Sequence, residues 1–356
     1  MSIFESFSVI SFILVHILAL FFGCLVLLRI AWTIIRNPSA LKAVKITAPT
    51  SLTNPEFGEH CYMRTPSGLN FHYVAKGDLN KPLMLCLHGF PEFWYSWRYQ
   101  LQWLSENYRV VAMDMRGYGE SDHPKGRGEY VMTKLTQDVR EVMSGLGFSS
   151  CILACHDWGG FIGWTFAHQF PDMVERLIIV NCPHPMAAEK YVFTHPSQLL
   201  RSWYVYFFQL PYLPEFWIAL NNYEVFEDMF RGEQMGVRKP GSLTDEDLAA
   251  YRYMFSREGA LTPPLNYYRN VLVRTKSDRD LFKARFRKPV LVIWGTGDRA
   301  LESGMLEGTA DFAPNLTIRY VDGASHWVQQ EEPEVVNECI HDFLTAQSYE
   351  MINRPN

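Results

Sequence analysis

The sequence of 356 residues predicts an α/β fold with a mostly parallel central sheet, an inserted helical cap and one N-terminal transmembrane helix. Three observations predict this architecture. A long uncharged apolar stretch lies near the N-terminus. Short apolar runs rich in Val, Ile and Leu alternate with helical patterns, as is typical of parallel strands covered on both faces. This alternation stops after Pro183 and resumes at Pro289, which indicates an insertion.

The N-terminal stretch from Ser6 to Leu28 contains 23 residues without a formal charge. At a helical rise of about 1.5 Å per residue it extends roughly 35 Å, enough to cross a bilayer core. A cleaved signal peptide is the alternative. It is disfavoured because Glu5 but no Lys or Arg precedes the run, the run is long, and no small-x-small cleavage site follows. We therefore predict that residues 1–35 form a retained membrane anchor.

The charges that flank this stretch predict its orientation. Four basic residues follow it, and they are Arg29, Arg36, Lys42 and Lys45. The positive-inside rule then places the C-terminal bulk in the cytosol, and we expect the endoplasmic reticulum membrane. The sequon at Asn315 would be usable only if the domain were lumenal. Residues 36–60, with Pro38, Pro49 and Pro55, are predicted to be a linker.

The composition is that of a globular protein. Hydrophobic residues make up 48% of the chain and charged residues 20%, and the net charge of −5 is not clustered, so neither a disordered polyelectrolyte nor a nucleic-acid partner is expected. The seven cysteines include no Cys-x-x-Cys pair. This disfavours a disulfide framework and a zinc site and fits a reducing compartment.

The folded part divides into two core segments and a cap. Residues 61–183 and 285–350 are predicted to form the core, beginning with a hairpin that turns at Gly68. The apolar runs that predict the other strands are 82–87, 108–113, 151–155, 174–180, 289–294 and 316–321. Residues 184–284 are mostly helical by pattern and rich in aromatic residues, and we predict that they cap the carboxyl ends of the strands, where ligands bind in such sheets.

The sharpest motif is the run from Cys155 to Gly160, CHDWGG, which follows an apolar strand and opens a helix. A strand, a tight turn and a helix form the context of a nucleophile elbow. Here the central residue is Asp157, whose carboxylate is already anionic at neutral pH and needs no base to activate it. It can displace a leaving group from saturated carbon and form an ester. A helix-capping role alone would not explain the adjacent Gly159 and Gly160.

The partners of this nucleophile are expected later in the chain, in the order acid and then histidine. Asp298 follows the strand at 289–294, and His326 follows the strand at 316–321. With an anionic nucleophile, His326 is free to deprotonate a water in a second step, while Asp298 orients the imidazole and stabilises its cation. Alone, either residue would be interpreted as an ordinary loop residue, and their order and placement favour function.

A second loop follows a central strand at His88-Gly89-Phe90-Pro91. We predict that the backbone N–H groups of Phe90 and Trp158 stabilise the oxyanion that forms when the ester is hydrolysed. His88, His156 and His184 are interpreted as structural histidines. Cys155 is interpreted as a packing residue of a buried strand.

Together these motifs, with the stretch from Asp114 to Asp122 and Gly323 to Trp327, resemble the epoxide hydrolase family of the α/β-hydrolase superfamily, in particular its membrane-anchored animal members. The resemblance covers about residues 57–346. It implies an α/β-hydrolase fold and hydrolysis of epoxides to vicinal diols through a covalent Asp157 ester, with water as co-substrate and without a metal or cofactor. Haloalkane and fluoroacetate dehalogenases share the aspartate elbow.

The resemblance also implies two cap tyrosines that hold the epoxide oxygen and donate a proton to it. The run from Pro264 to Asn270 matches the family motif for one of them and selects Tyr268 rather than Tyr267. The other aligns with Tyr204, although Tyr206 lies only two positions away. Core packing is the alternative for any tyrosine in so aromatic a segment.

One departure is Cys155, where the family usually has glycine, and it raises the prospect of a tighter site or lower turnover. Two alternatives therefore stay open, a dehalogenase and a catalytically silent, membrane-tethered protein with the same fold. A serine esterase is disfavoured because the chain has no Gly-x-Ser-x-Gly motif. The aromatic cap and the anchor favour a lipophilic substrate such as a fatty-acid or xenobiotic epoxide. The oligomeric state is left open.

Overall fold

The computed structural model of the chain describes residues 3–42, 44–271 and 276–352. Residues 1–2 of the predicted anchor, residue 43 of the predicted linker and residues 272–275 of the predicted cap lie outside this part. Eight strands form one sheet in the order β1-β2-β4-β3-β5-β6-β7-β8. They are β1 (Glu59–Arg64), β2 (Asn70–Lys76), β3 (Leu83–Leu87), β4 (Arg109–Met113), β5 (Cys151–His156), β6 (Val174–Val180), β7 (Val290–Gly295) and β8 (Leu316–Val321).

The sheet is mostly parallel, as predicted. Among the described strands, only β2 pairs antiparallel with its two neighbours, β1 and β4, and the other pairings are parallel. All residues of β3, β5 and β7 are buried, because helices cover both faces of the sheet. This explains why these strands are short continuous apolar runs and do not alternate between apolar and polar residues.

Five of the α-helices in the described part of the chain belong to this core. They are α2 (Arg98–Leu104), α3 (Met132–Gly145), α4 (Trp158–Gln169), α13 (Val328–Glu331) and α14 (Pro333–Ile352). The helix α4 contacts β5 and β6, and α14 contacts β7 and α2. Ile162 and Phe166 of α4 are fully buried, so this helix is apolar on most of its surface rather than on one stripe.

The insertion between β6 and β7 is helical in the residues that the structure describes. Its helices are α5 (Pro185–Thr194), α6 (Pro196–Arg201), α7 (Trp203–Phe207), α8 (Leu213–Tyr223), α9 (Val225–Arg231), α10 (Asp245–Ser256), α11 (Thr262–Val271) and α12 (Lys276–Leu281). The cap is fixed to the core by buried contacts, for example from the Tyr267 hydroxyl to the carbonyl oxygen of Arg116 at 2.7 Å. The cap therefore covers the carboxyl ends of the central strands.

The first helix, α1 (Ile3–Arg36), contains a segment, Phe12–Arg36, that is long and apolar enough to cross a bilayer. It packs against α7 and α8 of the cap. The segment after it, predicted as a linker, follows the cap surface: the Thr50 hydroxyl donates to Glu246 at 2.8 Å, and Leu52 is buried. The first helix and the cap are thus in direct contact.

Candidate active site

The turn between β5 and α4 has the geometry of a nucleophile elbow. Asp157 adopts φ 48° and ψ −116°, a conformation that is costly for a residue with a side chain. The turn closes tightly because a Cβ atom on Gly159 would lie 2.3 Å from the carbonyl oxygen of Leu87, and one on Gly160 would lie 2.4 Å from the Cβ of Cys182. The glycines of the motif thus allow the sharp turn that presents the Asp157 side chain at the edge of the sheet.

Cys155 is fully buried two residues before the elbow. Its Sγ atom lies 2.5 Å from the position that a Cβ would occupy on Gly163 of α4. The thiol therefore occupies space that is free only because residue 163 is glycine. Burial raises the pKa of Cys155 well above its usual value, so the thiol stays neutral and packs as a small apolar group.

The structure brings Asp157, Asp298 and His326 together. The Nδ1 atom of His326 lies 2.7 Å from Oδ2 of Asp298, and its Nε2 atom lies 3.5 Å from Oδ2 of Asp157. All three residues are buried. The imidazole thus lies between two carboxylates that come from the ends of two different strands.

The charges of this group stabilise one another. Burial raises the pKa of Asp157, but the hydrogen bond and positive charge of His326, the charge of His156 and the Phe90 N–H outweigh it and leave the pKa below its ordinary value. Burial lowers the pKa of His326, but the Asp298 charge and the hydrogen bond to Asp157 raise it to about 10. At neutral pH the resting site is therefore an imidazolium between two carboxylates.

Asp298 is held in place by groups that the sequence did not single out. The Asn181 side-chain amide donates to Oδ2 at 2.7 Å, and the backbone N–H groups of Ala300 and Leu301 donate to Oδ1 at 2.7 and 2.9 Å. The Asn181 oxygen also accepts from the Gly295 N–H at 2.9 Å. The available signal was its position: Asn181 is the first polar residue after β6, where functional side chains collect.

The two predicted oxyanion donors differ in their contacts. The backbone N–H of Phe90 donates to Oδ1 of Asp157 at 2.9 Å. Trp158 begins α4 directly after the aspartate, and among the described contacts its backbone N–H makes no bond to the Asp157 carboxylate. In the resting state, the Phe90 N–H is therefore already hydrogen-bonded to the Asp157 carboxylate.

The cap contributes two tyrosines to the cavity that contains Asp157. Tyr204 of α7 and Tyr268 of α11 line this cavity together with His326, and their rings lie 5.8 Å apart at 82°. Desolvation raises the pKa of both phenols, and the negative charge of Asp157 raises it further. Both phenols are therefore neutral at physiological pH and keep their hydroxyl protons.

The neighbouring tyrosines point elsewhere. Tyr206, the alternative to Tyr204, stacks on Phe22 of α1 with ring centres 6.5 Å apart. Tyr267, the alternative to Tyr268, is buried and donates its hydroxyl to the backbone of Arg116. Of these four tyrosines, Tyr204 and Tyr268 are the two that line the cavity with Asp157.

Behind the site lies a buried polar network that sequence reasoning missed. Glu92 accepts from the side-chain amides of Gln329 and Gln330 at 3.0 and 2.9 Å and lies 2.6 Å from Nδ1 of His156. The Nε2 atom of His156 lies 2.9 Å from the carbonyl oxygen of His326. The network therefore ties the strand before Asp157 to the loop that carries His326.

Comparison with known proteins gives a consistent result. Residues 82–333 match the family described as alpha/beta hydrolase fold. The chain is 44% identical over 327 residues to epoxide hydrolase 4 of Homo sapiens, covering 90% of this chain and 89% of that protein. It is 45% identical over 304 residues to epoxide hydrolase 3 of Xenopus tropicalis, covering 83% and 81%.

Solved structures show the same similarity. The crystal structure of a variant epoxide hydrolase from Bacillus megaterium, complexed with its naphthyloxy-propanediol product, is similar with a TM-score of 0.73 and 36% identity, covering 80% of this chain and 100% of that one. The epoxide hydrolase VrEH1 of Vigna radiata is similar with a TM-score of 0.71 and 29% identity, covering 81% and 98%.

Proposed function

The chain belongs to the epoxide hydrolase family of the α/β-hydrolase fold, and from this membership we propose that it hydrolyses epoxides to vicinal diols. One observation carries the proposal: Asp157, His326, Tyr204 and Tyr268 line the same cavity. This arrangement combines an anionic nucleophile, a water-activating base and two acids aimed at a leaving oxygen.

In the first proposed step, the Asp157 carboxylate attacks an epoxide carbon and the carbon–oxygen bond of the ring breaks. The oxygen receives a proton from Tyr204 or Tyr268, and an alkyl ester forms on Asp157. An oxygen leaving group needs this proton, whereas a halide does not. The two neutral phenols therefore favour an epoxide hydrolase over a dehalogenase.

The state of His326 changes during this step. Once Asp157 is esterified it carries no charge, and the imidazolium loses one of its two anionic partners. Its pKa falls, so the proton leaves the imidazole while the phenolate takes one up, and the proton count is balanced. His326 thus becomes a base only after the ester has formed.

In the second step, neutral His326 accepts a proton from water, and the resulting hydroxide attacks the carbonyl carbon of the Asp157 ester. Asp298 stabilises the imidazolium, and the N–H groups of Phe90 and Trp158 stabilise the oxyanion. The tetrahedral intermediate collapses and releases an alkoxide, which takes the proton from His326 and completes the diol. The carboxylic acid left on Asp157 then gives its proton to His326, and the resting ion pair is restored. Side chains and water supply every group in this sequence.

The proposed setting is a membrane. The apolar α1 and the aromatic cavity wall favour a lipophilic epoxide, and the basic residues after α1 favour a cytosolic domain. We propose the endoplasmic reticulum as the membrane. The sequon at Asn315 tests the orientation. We expect no glycan there in cells. Glycosylation of Asn315 would show that the domain is lumenal and that the proposed orientation is wrong.

A single turnover in heavy-oxygen water tests the covalent mechanism. With enzyme in excess over epoxide, the ester route places the label in the Asp157 carboxylate, which mass spectrometry of the peptide detects. The first-turnover diol should be unlabelled. Label found only in the diol would exclude the ester, and unchanged hydrolysis by Asp157→Ala would reject Asp157 as the nucleophile.

A further inference from the structure

We propose that the active site opens at the membrane surface beside α1 and takes long-chain lipid epoxides directly from the adjoining leaflet. This inference rests on the proposed function and concerns the route and class of the substrate. In it α1 is both the anchor and a wall of the substrate entrance.

The cavity of about 340 Å³ extends from Asp157 to the first helix. Its exposed lining residues mark its mouth, and they are Arg29, Asp228, Glu233 and Gln234. The Arg29 guanidinium lies 2.9 Å from the Asp228 carboxylate, and both side chains are more than half exposed. One side of the mouth is therefore α1, and the other is α9 with the loop after it.

The sequence sets the level of this mouth relative to a bilayer. Within the segment Phe12–Arg36, the uncharged run ends at Leu28, and Arg29 is the first charged residue. The first charge that follows a spanning segment lies at the headgroup level, because a charged side chain avoids the hydrocarbon core. The mouth, which contains Arg29, is therefore at the membrane surface.

The contact between α1 and the cap places part of the cap in the membrane. Gly23 approaches Leu210 so closely that a Cβ atom would lie 2.5 Å from its Cδ1, and Phe22 packs on Trp203 with ring centres 6.1 Å apart. From Ala19, which is fully buried, to Leu28 the helix rises about 15 Å, half of a hydrocarbon core of about 30 Å. The cap therefore extends into one leaflet.

The surface of the cap near α1 fits this position. Tyr212 is 85% exposed, and Phe216 is a second exposed large apolar residue of the cap. Tyr212 lies just before α8 and Phe216 within it, and α8 contacts α1. An apolar surface of this kind is unfavourable in water and is stabilised by lipid.

The path from α1 to the proposed catalytic groups is short. Trp203 contacts α1 and also lines the cavity, directly before Tyr204 in the chain. A lipid epoxide can keep its acyl chain among the lipids while its epoxide passes between α1 and α9 toward Asp157. A small epoxide dissolved in water can enter the same mouth from the aqueous side, so its entry does not depend on contact with the lipids.

Two neighbouring substitutions in the full chain, reconstituted in phosphatidylcholine vesicles, test the proposal. Gly23→Leu forces a side chain against Leu210 and lifts α1 from the cap. Cys24→Leu, the matched control, adds a similar side chain at an exposed position. We expect Gly23→Leu to lower kcat/KM for epoxidised methyl oleate about tenfold and for water-soluble propylene oxide less than about twofold. Cys24→Leu should change neither.

Other outcomes overturn the proposal. An equal loss on both epoxides would mean that α1 acts on the catalytic groups rather than on entry, and no loss on either would mean that α1 does not border the entrance. An equal loss with Cys24→Leu would indicate a general effect on membrane insertion. If the unaltered protein hydrolyses neither epoxide, the proposed function fails instead.

A second measurement does not depend on activity. An environment-sensitive fluorescent amino acid is placed at Gln234, in the mouth, or at Asn80, which precedes β3 and lies at the amino end of that strand, away from the cap. Lipids that carry a spin label near the headgroup should quench the fluorophore at Gln234 strongly and the one at Asn80 weakly. Equal weak quenching would place the mouth in water and overturn the proposal.

Discussion

The Nε2 atom of His326 lies 3.5 Å from the Oδ2 atom of Asp157, so the proposed base and the proposed nucleophile form an ion pair at rest. A protonated imidazole cannot accept a proton from water. The hydrolytic step therefore requires that the charge of Asp157 be removed first, and esterification does this. The contact between His326 and Asp157 therefore requires that the ester form before His326 can activate water.

The first prediction follows from this ion pair. Asp157→Ala should lower the pKa of His326 from about 10 by about one to three pH units, because one of its two carboxylate neighbours is lost. NMR titration of labelled histidine measures this. Asp228→Asn, which removes a carboxylate at the mouth of the same cavity, is the control and should leave the pKa of His326 unchanged. Equal effects of the two variants would contradict the coupling.

The second prediction concerns stability and pH. The pKa of His326 is raised in the folded protein from 6.5 to about 10. The protonated imidazole therefore stabilises the folded state fully below pH 6.5, and this stabilisation is lost as the pH rises to about 10. Over this range the folded state binds one proton more than the unfolded state. The stability advantage of the unaltered protein over His326→Gln should therefore shrink by about 1.4 kcal/mol per pH unit. Denaturation in detergent at several pH values measures it, and a constant difference would contradict it.

The third prediction separates the two tyrosines of α7. Tyr204→Phe should lower kcat for an epoxide about 10- to 100-fold, because one of two acids is lost. Tyr206→Phe is the matched control, since Tyr206 packs on Phe22 and does not line the cavity. Its kcat should stay within about twofold. A larger loss of kcat in Tyr206→Phe than in Tyr204→Phe would show that Tyr206 is the proton donor to the epoxide oxygen.

The spacing of the motifs was sufficient to predict which residues meet in the site. Asp157 and Asp298 each follow a continuous apolar run, His326 follows the strand LTIRYV, and the carboxyl ends of parallel strands lie along one edge of the sheet. Their proximity therefore follows from topology. Asn181 also follows such a run, but an amide carries no reactivity that marks it as functional.

Other features depend on tertiary contacts that no local pattern encodes. Glu92 is a buried carboxylate, and two of its partners, Gln329 and Gln330, lie more than 200 residues away in the chain. The contact of α1 with the cap was likewise not predictable, because a helix that is apolar all round gives no sign of which face is packed. Only the structure shows that Gly23 is on that face.

The fourth prediction concerns this buried carboxylate. Glu92→Gln should lower the free energy of unfolding by about 3–5 kcal/mol, because it breaks a buried pair and leaves the other partner uncompensated. Glu129→Gln is the control: Glu129 pairs with Arg116 and Lys134 but is one-third exposed, so its loss should cost less than about 1 kcal/mol. Thermal unfolding of both variants in detergent measures the difference. Equal costs would show that the Glu92 network does not stabilise the fold.

The fifth prediction concerns the unusual cysteine of the elbow. Because the Cys155 Sγ atom occupies the space above Gly163, Gly163→Ala should cost about 1–3 kcal/mol of stability. In a Cys155→Gly background the same change should cost less, with a coupling energy of about 1–2 kcal/mol in a double-mutant cycle. Gly128→Ala, where no atom lies within 4 Å of the new Cβ, should be nearly neutral. Additive effects of the two changes would show that the thiol and the glycine do not share this space, and Cys155 would then have to be accommodated by a shift of β5.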